Sequence, residues 1–299
     1  MKNILITGST GFLGGAVVAN LLQSRVQDRL LLLVRGETVD EGLNRLKANL
    51  KNFGLNESVI NTIAPENIIL GDLAFTDDFI HDARLNDVTH VINCAAVASF
   101  GNNPTIWKVN VEGTFRFAER MSRVEGLKKF IHVGTAMSCA PEPGSLVTEG
   151  GLNSSRDQHV VEYTWSKASI EKLMTEKLPR LPLVIARPSI VVGHSDQGCL
   201  PSASIFWVFR MALALGKFTC DLDDRIDVVP VDYCADALEL LLDAENVINE
   251  VIHISAGTHS SVTFPEIHEA MARAAGNKAL GWDYPKLTVK QLSDTRTQT

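Results

Sequence analysis

The chain has 299 residues, of which 45% are hydrophobic and 21% are charged, and its formal net charge is −7. This composition excludes a disordered or fibrous protein and allows one large core, with or without a smaller lobe. The negative charge disfavours nucleic acid as a partner, because phosphate binding needs a surplus of lysine and arginine. The longest apolar stretch, residues 205–216, is interrupted by Arg210 and is shorter than the roughly 18 residues of a membrane span.

The cysteines and the amino terminus bear on the cellular compartment. The five cysteines form no CxxC pair, which disfavours both a disulfide framework and a zinc site. They are Cys94, Cys139, Cys199, Cys220 and Cys234. The apolar stretch that follows Lys2 is too short for a signal peptide. We therefore expect a cytoplasmic protein with no membrane span and no metal site.

Short apolar runs alternate along the chain with longer segments of helical period, which is the pattern of a parallel sheet with crossover helices. The runs predict strands at residues 3–7, 30–34, 67–70, 90–93, 129–134, 183–187 and 251–255. Nearly continuous Ile, Leu and Val in these runs is typical of strands covered on both faces. The predicted fold class is α/β, a Rossmann-type doubly wound parallel sheet with a small C-terminal substrate-binding lobe.

Helix signals fill the segments between the strands. The first predicted helix has an apolar face of Leu13, Ala16, Val17 and Leu21. The second opens with a capping box of Thr38 and Glu41. A last helix is predicted to open at Thr263, with Glu266 as its start signal.

The alternation of strands and helices degrades after Pro188, and this change predicts the domain boundary. We expect an NAD(P)-binding Rossmann domain at residues 1–192, whose sheet is completed by about 226–256. Residues 193–225 and 257–299 are expected to form the smaller substrate-binding lobe, with an apolar helix at about 203–215.

A glycine-rich segment, TGSTGFLG at residues 7–14, directly follows the first predicted strand and opens the first helix. A turn this tight needs glycine dihedrals, and a pyrophosphate can approach only a backbone without Cβ atoms. The helix amino terminus then binds the phosphates. The alternative is an ordinary strand-to-helix connection. The predicted cofactor-binding residues here are Gly8, Ser9, Thr10, Gly11, Phe12, Leu13 and Gly14.

Two arginines predict which dinucleotide binds. Arg35 follows the second strand, where an NAD enzyme usually places an acid on the ribose 2′-hydroxyl. An arginine suits a 2′-phosphate instead, and Arg45 in the next helix could converge on the same charge. The alternative for Arg45 is a solvated surface residue. We therefore predict NADP as the cofactor in preference to NAD.

Further cofactor-binding candidates follow the third and fourth strands. Asp72, with Leu73 beside it, could accept a hydrogen bond from the adenine amino group, or it could simply cap a helix. Small residues after the fourth strand leave room for a cofactor across the sheet. They are Cys94, Ala95 and Ala96.

Tyr163 and Lys167 lie four residues apart in a predicted helix, so they share one face. The Lys167 ammonium can then lower the pKa of the Tyr163 phenol and hold the nicotinamide ribose. Such a phenol can act as a general acid or base near neutral pH. Thr135, at the end of the fifth strand, can orient a substrate carbonyl beside it. These three residues predict an oxidoreductase that acts on a carbonyl group.

Two histidines are weaker candidates. His132, within the fifth strand, is predicted to be a hydrogen-bonded core residue. His194 lies in the loop after the sixth strand, where it could touch the substrate, although an ordinary loop residue is the simpler interpretation.

With these motifs, the chain resembles extended short-chain dehydrogenases over nearly its whole length. It is similar in particular to thioester reductase domains and fatty acyl-CoA reductases. The segments that carry this similarity are LVR at 33–35 with RL at 45–46, GDL at 71–73, NVEGT at 110–114, RPSIV at 187–191 and VPVDY at 229–233. The sequence departs from this branch at Gly134, where a serine usually precedes the catalytic threonine.

The resemblance implies reduction of an acyl thioester, or of the aldehyde it yields, by hydride from NADPH. Thr135 and Tyr163 would polarise the carbonyl and protonate the oxyanion, while Lys167 would position the ribose and tune Tyr163. The thioester could be on CoA or on a carrier protein. The lobe after Gly193 leaves little room for a carrier-binding insertion, which favours a smaller substrate.

The resemblance also assigns residues outside the catalytic set. Asn110 would hold a helix kink or a water in the proton path. Ser189, with Pro188 before it, follows the sixth strand and would lie near the nicotinamide carboxamide. A homodimer through the helices at 110–123 and 163–177 is expected.

Three other functions fit parts of the pattern. An NAD-dependent nucleotide-sugar epimerase or dehydratase shares the fold and the Tyr/Lys pair, but Arg35 argues against tightly held NAD. A carbonyl or alcohol dehydrogenase would use the same scaffold. A non-catalytic dinucleotide sensor usually loses the catalytic residues, which are intact here.

Overall fold

The computed structural model describes residues 1–99, 101, 103–142, 144–150, 154–197 and 223–274. The chain divides into two compact units, Met1–Pro201 with Val229–Ile254 and Ser202–Val228 with Ser255–Thr299. The first unit contains the central sheet and all of the predicted site residues. The predicted boundary of the Rossmann domain at residue 192 stays a prediction.

Strands in the described residues are β1 (Asn3–Thr7), β2 (Arg29–Val34), β3 (Ile68–Leu70), β4 (His90–Asn93), β5 (Lys129–Val133), β6 (Leu183–Pro188), β7 (Ile190–Val192), β8 (Arg225–Ile226), β9 (Val228–Pro230), β10 (Val251–Ile254) and β11 (Val262–Thr263). Seven of them form one sheet in the order β10-β6-β5-β4-β1-β2-β3, and neighbouring strands are parallel. This order, with a switch point between β1 and β4, is that of a doubly wound sheet. The predicted fold class and its seven strands are confirmed.

Helices in the described residues are α1 (Phe12–Ser24), α2 (Val39–Leu50), α3 (Glu57–Ile60), α4 (Thr105–Trp107), α5 (Thr114–Met121), α6 (Glu162–Lys177), α7 (Val231–Asp243), α8 (Gly257–Ser260) and α9 (Phe264–Ala274). A π-helix, Lys108–Gly113, joins α4 to α5. Short 3₁₀ helices occur at Lys51–Phe53, Pro65–Asn67, Leu73–Asp78, Ala83–Asp87, Ala136–Cys139, Arg156–Gln158 and Glu245–Val247.

Both faces of the sheet are buried. On one face, Leu5 and Phe130 of the sheet belong to a core cluster with Phe117 of α5 and Met174 of α6. Ile4 and Ile6 are fully buried as well, and they point to the opposite face because side chains alternate along a strand. This burial on two sides explains the nearly continuous apolar composition of the strands.

The predicted helix starts are present. The Thr38 hydroxyl accepts from the Glu41 amide at 3.2 Å, while the Glu41 carboxylate accepts from the Glu37 amide at 2.7 Å. The last described helix, α9, follows Thr263, whose amide donates to the Glu266 carboxylate at 2.7 Å. The apolar helix predicted at about 203–215 lies outside the described residues, as do Cys199 and Cys220.

None of the helices in the described ranges is both long enough and apolar enough to cross a membrane. The cysteines among the described residues, Cys94, Cys139 and Cys234, are free thiols.

Candidate active site

The glycine turn between β1 and α1 has the geometry that pyrophosphate binding requires. Gly8 has a left-handed backbone with φ of 69°, and a Cβ there would lie 2.8 Å from the amide nitrogen of Ala95. A Cβ on Gly14 would lie 2.2 Å from the Gly8 carbonyl oxygen. Gly11 is the N-cap of α1 and provides no side-chain cap, so the amide groups of the first turn can serve an anion.

A cleft of about 460 Å³ opens beside this turn. Predicted cofactor residues that line it are Gly8, Thr10, Gly11, Arg35, Arg45, Asp72, Leu73, Cys94, Ala95 and Ala96. Residues that line it without having been predicted are Leu33, Gly71, Val97, Asn103, Thr105 and Val109. Ser9 does not line the cleft; its buried hydroxyl donates to the Leu33 carbonyl at 3.2 Å. The other predicted cofactor residues outside the lining are Phe12, Leu13, Gly14, Tyr163, Lys167, Pro188 and Ser189.

The charged residues of the cleft are Arg35 after β2, Arg45 in α2 and Asp72 after β3. The Arg35 side chain is 62% exposed, and its guanidinium lies 3.7 Å from the Asp72 carboxylate. Asp72 also accepts from the Ala74 amide at 2.8 Å, so it caps the 3₁₀ helix that follows. The capping alternative for Asp72 is therefore confirmed, and the second carboxylate oxygen faces Arg35.

Buried polar side chains of β1, β4 and β5 are hydrogen-bonded to one another next to the segment 94–96. The Thr7 hydroxyl donates to Asn93 Oδ1 at 2.6 Å and accepts from the Ala95 amide at 3.1 Å. Because Oδ1 of Asn93 is used in this way, its amide nitrogen faces Nδ1 of His132, at 3.0 Å. His132 Nε2 then carries the proton and has no partner among the described residues. The expectation of a fully hydrogen-bonded His132 is thus wrong at one nitrogen.

The His132 ring and the Cys94 thiol are both neutral. Burial lowers the pKa of His132 well below its ordinary value. Burial also raises the pKa of the Cys94 thiol to about 12, although the Lys167 ammonium opposes the shift. Cys94 is therefore a protonated packing residue and a poor nucleophile.

Helix α6 places Lys167 against the end of β5. The ammonium is buried and donates to the Val133 carbonyl at 2.7 Å, two residues before Thr135. Burial lowers the pKa of Lys167 to about 8, while the carboxylate of Glu171 opposes that shift.

The expected effect of Lys167 on the Tyr163 phenol is not found. Burial, followed by the negative charge of Glu171, raises the pKa of Tyr163 to about 12. Burial and the Glu171 carboxylate farther along the same helix set this pKa, while the Lys167 ammonium donates to the Val133 carbonyl. In this structure Tyr163 is therefore a protonated phenol at neutral pH.

Thr135 begins the turn after β5. It is the N-cap of the 3₁₀ helix Ala136–Cys139, and its hydroxyl oxygen accepts from the Met137 amide at 3.3 Å. Because that contact uses an oxygen lone pair, the hydroxyl proton can still be donated to a carbonyl oxygen.

Asn110 lies in the π-helix Lys108–Gly113. Its side chain accepts from the Val97 amide at 2.7 Å and donates to the Ser166 hydroxyl of α6 at 3.0 Å. Ser166 in turn donates to the Tyr163 carbonyl at 2.7 Å. Asn110 therefore connects the cleft loop to the backbone of the tyrosine. Such π-bulges are frequent at functional sites.

The end of β6 carries Pro188 and Ser189. The Ser189 amide donates to the Ile254 carbonyl at 2.9 Å. Its hydroxyl is buried and has no hydrogen-bond partner in the part of the chain that the structure describes. A buried hydroxyl without a partner is costly, and a ligand group such as a carboxamide would satisfy it.

Two buried charged residues near this site were not predicted. Glu171 and Arg187 are 0% and 1% exposed, and their ion pair is 2.7 Å long. Burial raises the pKa of Glu171, and the paired guanidinium opposes that shift. Two sequence signals could have identified the pair. Glu171 continues the four-residue spacing of Tyr163 and Lys167, and Arg187 interrupts an otherwise apolar strand.

Comparison with known protein families decides the classification. Residues 6–238 match the family model described as male sterility protein, an NAD-binding domain. The chain belongs to this male sterility family. The matched residues include the glycine turn, most of the sheet and the helix that carries Tyr163 and Lys167. Together with its relatives, the family identifies the chain as an NAD(P)-dependent oxidoreductase of the extended short-chain dehydrogenase type.

One relative is the probable fatty acyl-CoA reductase 5 of Arabidopsis thaliana. It is 25% identical to this male sterility domain over 350 residues, which cover 91% of the chain and 70% of the plant protein. The chain thus spans about seven tenths of that reductase.

Two solved structures share the fold. The terminal R domain from the myxalamid PKS-NRPS biosynthetic pathway superposes with a TM-score of 0.79 at 24% identity, covering 100% of this chain and 74% of that one. UDP-glucuronic acid 4-epimerase from Bacillus cereus, in complex with NAD, gives a TM-score of 0.68 at 21% identity, covering 93% of this chain and 85% of the epimerase.

Proposed function

We propose that this male sterility domain reduces an acyl thioester, or the aldehyde derived from it, with NADPH as the hydride donor. One observation carries the proposal: Lys167, four residues after Tyr163, holds its buried ammonium against the carbonyl end of β5, beside Thr135. The proposal assigns an acid, a cation and a hydroxyl to the end of the sheet where doubly wound folds bind their ligands.

The residues fit a dinucleotide. A Cβ would fill the space at Gly8 and Gly14, the first turn of α1 has no side-chain cap, and the Ser189 hydroxyl is buried without a partner among the described residues. The glycine turn would hold the pyrophosphate, and Lys167 the nicotinamide ribose. When bound, NADPH supplies a hydride.

The side chains of the chain then act on the substrate carbonyl. Thr135 donates a hydrogen bond that orients the carbonyl oxygen. As hydride adds to the carbonyl carbon, the oxygen gains negative charge, and Tyr163 gives it a proton. When the C–S bond of this intermediate breaks, its hydroxyl proton passes to the departing sulfur, so the products are the thiol and the aldehyde. Tyr163 then regains a proton from solvent. A phenol with a pKa of about 12 stays protonated at neutral pH, and it can give its proton to an alkoxide because the alkoxide is more basic still.

The substrate class rests on the relatives. A probable fatty acyl-CoA reductase matches most of this chain, and its name points to thioester chemistry. The test is whether the purified protein consumes NADPH with an acyl-CoA thioester and releases free CoA together with an aldehyde or alcohol. Turnover only with carrier-bound thioesters would assign the carrier protein as partner, and no turnover with either would refute the function.

Arg35 supports NADPH as the cofactor. Its exposed guanidinium lies in the cleft that Arg45 also lines, where a 2′-phosphate can pair with it. Replacing it, Arg35→Ala, should weaken NADPH binding by about 1.5–3 kcal/mol, the worth of a charge-assisted hydrogen bond, and leave NADH binding nearly unchanged. Fluorescence titration with both nucleotides measures this.

Arg29→Ala is the matched control, because Arg29 is exposed at the opposite end of the same strand. It should change neither affinity. An equal loss of NADPH and NADH binding in Arg35→Ala would remove the support for a 2′-phosphate contact. If the purified protein retains NAD through purification and shows no NADPH preference, epimerase or dehydratase chemistry becomes the better assignment.

The homodimer and the cytoplasmic location remain predictions.

A further inference from the structure

Glu171 binds groups from two other elements at the end of the sheet. Its Oε2 accepts from Nε and Nη2 of Arg187 on β6, at 3.0 and 2.7 Å. The Ser138 hydroxyl lies 3.3 Å from each carboxylate oxygen. Since Ser138 has one hydroxyl proton, and its 2.7 Å bond to the Thr135 carbonyl is shorter, that bond is the main one and the contact with Glu171 is secondary.

The network therefore reaches the turn that carries Thr135, here called the Thr135 turn and defined as residues 135–139. Arg187 also contacts this turn, because its Nη1 donates to Cys139 Sγ at 2.9 Å. The turn is thus connected to the paired charges at Ser138 and at Cys139. Its first residue is the one that carries the proposed catalytic hydroxyl.

Helix α6 approaches the same turn closely. A Cβ on Gly134 would lie 2.1 Å from Oε1 of Glu171, so the carboxylate occupies the space that a larger residue would need. Glu171 lies four residues after Lys167 and eight residues after Tyr163. The side of α6 that carries Tyr163 and Lys167 is here called the catalytic face of α6. Residues at this spacing lie on the same side of a helix.

A contribution to folding stability does not by itself explain why Glu171 and Arg187 form a buried ion pair. Removing two charges from water is costly, and well-packed apolar residues of similar volume often stabilise a core as well or better. What apolar residues cannot reproduce is directional hydrogen bonding from α6 to β6 and to the Thr135 turn.

We propose that Glu171 is a positioning residue, which together with Arg187 holds the Thr135 turn in register with the catalytic face of α6. The inference rests on the proposed function, since the turn matters only if Thr135 and Tyr163 act on one carbonyl. Neither charged residue touches the substrate; both act through the groups they hold.

Glu171 also sets the charge around Lys167. The groups that face this ammonium are Glu171 on its own helix, the Cys94 thiol after β4 and the His132 ring on β5. Burial makes the thiol and the ring neutral, so Glu171 provides the negative charge that partly offsets the lowering of the Lys167 pKa by burial. Loss of that charge should move deprotonation of Lys167, and with it the alkaline limb of the pH–rate profile, to lower pH.

The test compares Glu171→Gln with Glu176→Gln, which removes a carboxylate from the exposed side of the same helix. We expect Glu171→Gln to lower kcat by on the order of 10- to 100-fold, the effect of a small misplacement of reacting groups. Its alkaline limb should shift to lower pH, while Glu176→Gln behaves as wild type. Carbon-13 NMR of labelled lysine and threonine side chains should show Lys167 titrating at lower pH and the Thr135 methyl signal shifted.

If Glu171→Gln does not fold because Arg187 has lost the carboxylate, the double variant Glu171→Met/Arg187→Met replaces both charges by apolar side chains and takes its place, with the same loss of kcat expected. A folded variant with wild-type kcat, an unmoved alkaline limb and unmoved NMR signals would overturn the positioning role. If the wild type reduces no thioester but the Lys167 and Thr135 signals still move, the proposed function fails, and only the structural connection of Glu171 to Lys167 and to the Thr135 turn is supported.

Discussion

Replacing Tyr163 by phenylalanine is expected to lower kcat for thioester reduction by roughly 10²- to 10⁴-fold, the usual worth of a general acid. The variant loses the phenol proton that the new oxyanion needs, but it keeps the ring that packs at this position. NADPH affinity should stay nearly unchanged, because the glycine turn and Lys167 are intact. Steady-state rates and fluorescence titration of NADPH together measure the two effects.

Tyr233→Phe is the control for this change. Tyr233 lies on α7, 48% exposed, so the same substitution there should leave kcat at the wild-type value. Equal activity of Tyr163→Phe and wild type would refute Tyr163 as the acid. A parallel loss of NADPH binding would instead indicate a structural role for the phenol.

Gly14→Ala is expected to have the largest effect on cofactor binding. The added Cβ would lie 2.2 Å from the carbonyl oxygen of Gly8 and 2.7 Å from its carbonyl carbon. Both are backbone atoms, which cannot rotate away, so the glycine turn must shift. We expect NADPH affinity to fall at least about tenfold and the free energy of unfolding to fall by about 1–3 kcal/mol, as in overpacked cores. Nucleotide titration and chemical denaturation measure these losses.

Gly126→Ala is the matched control, because a Cβ there would meet nothing within 4 Å. It should leave both quantities nearly unchanged. Wild-type NADPH affinity in Gly14→Ala would show that the turn does not cradle the pyrophosphate in the proposed way.

The sheet could be predicted because its strands depend on a local signal. A strand such as β1, buried on both faces, must be apolar at nearly every position, and this requirement is visible in the sequence. Short pairings such as β7 with β9 have too few residues to leave a pattern. The end of β5 shows the usual limit: the apolar run predicts the strand, but its final residue depends on where Thr135 begins the next turn.

Parts of the candidate site could be predicted where the backbone geometry allows only one residue type. Glycines at 8 and 14 exclude a Cβ from positions where the backbone is crowded, and that use follows from their spacing after a strand. At Asn110 the family resemblance implied a helix kink or a water, and neither it nor any single residue type specified the π-helix found there.

The electrostatics of the site could not be obtained from spacing. The four-residue interval between Tyr163 and Lys167 says that they share a helix face, but it does not say where the ammonium points. In the structure it donates to Val133, and Glu171 adds a negative charge on the same face, so burial decides the pKa of the phenol. The Glu171–Arg187 pair depends on contact between α6 and β6, which are adjacent only in the folded chain.

The most direct test of the proposed reaction is hydride transfer itself. The purified protein would be incubated with an acyl-CoA thioester and NADPH that carries deuterium at the transferable position, and the products analysed by mass spectrometry. The prediction is one deuterium on the former carbonyl carbon of the aldehyde for each NADPH oxidised, with release of one CoA. Unlabelled product, or no consumption of NADPH while the nucleotide is bound, would contradict a reductase function for this chain.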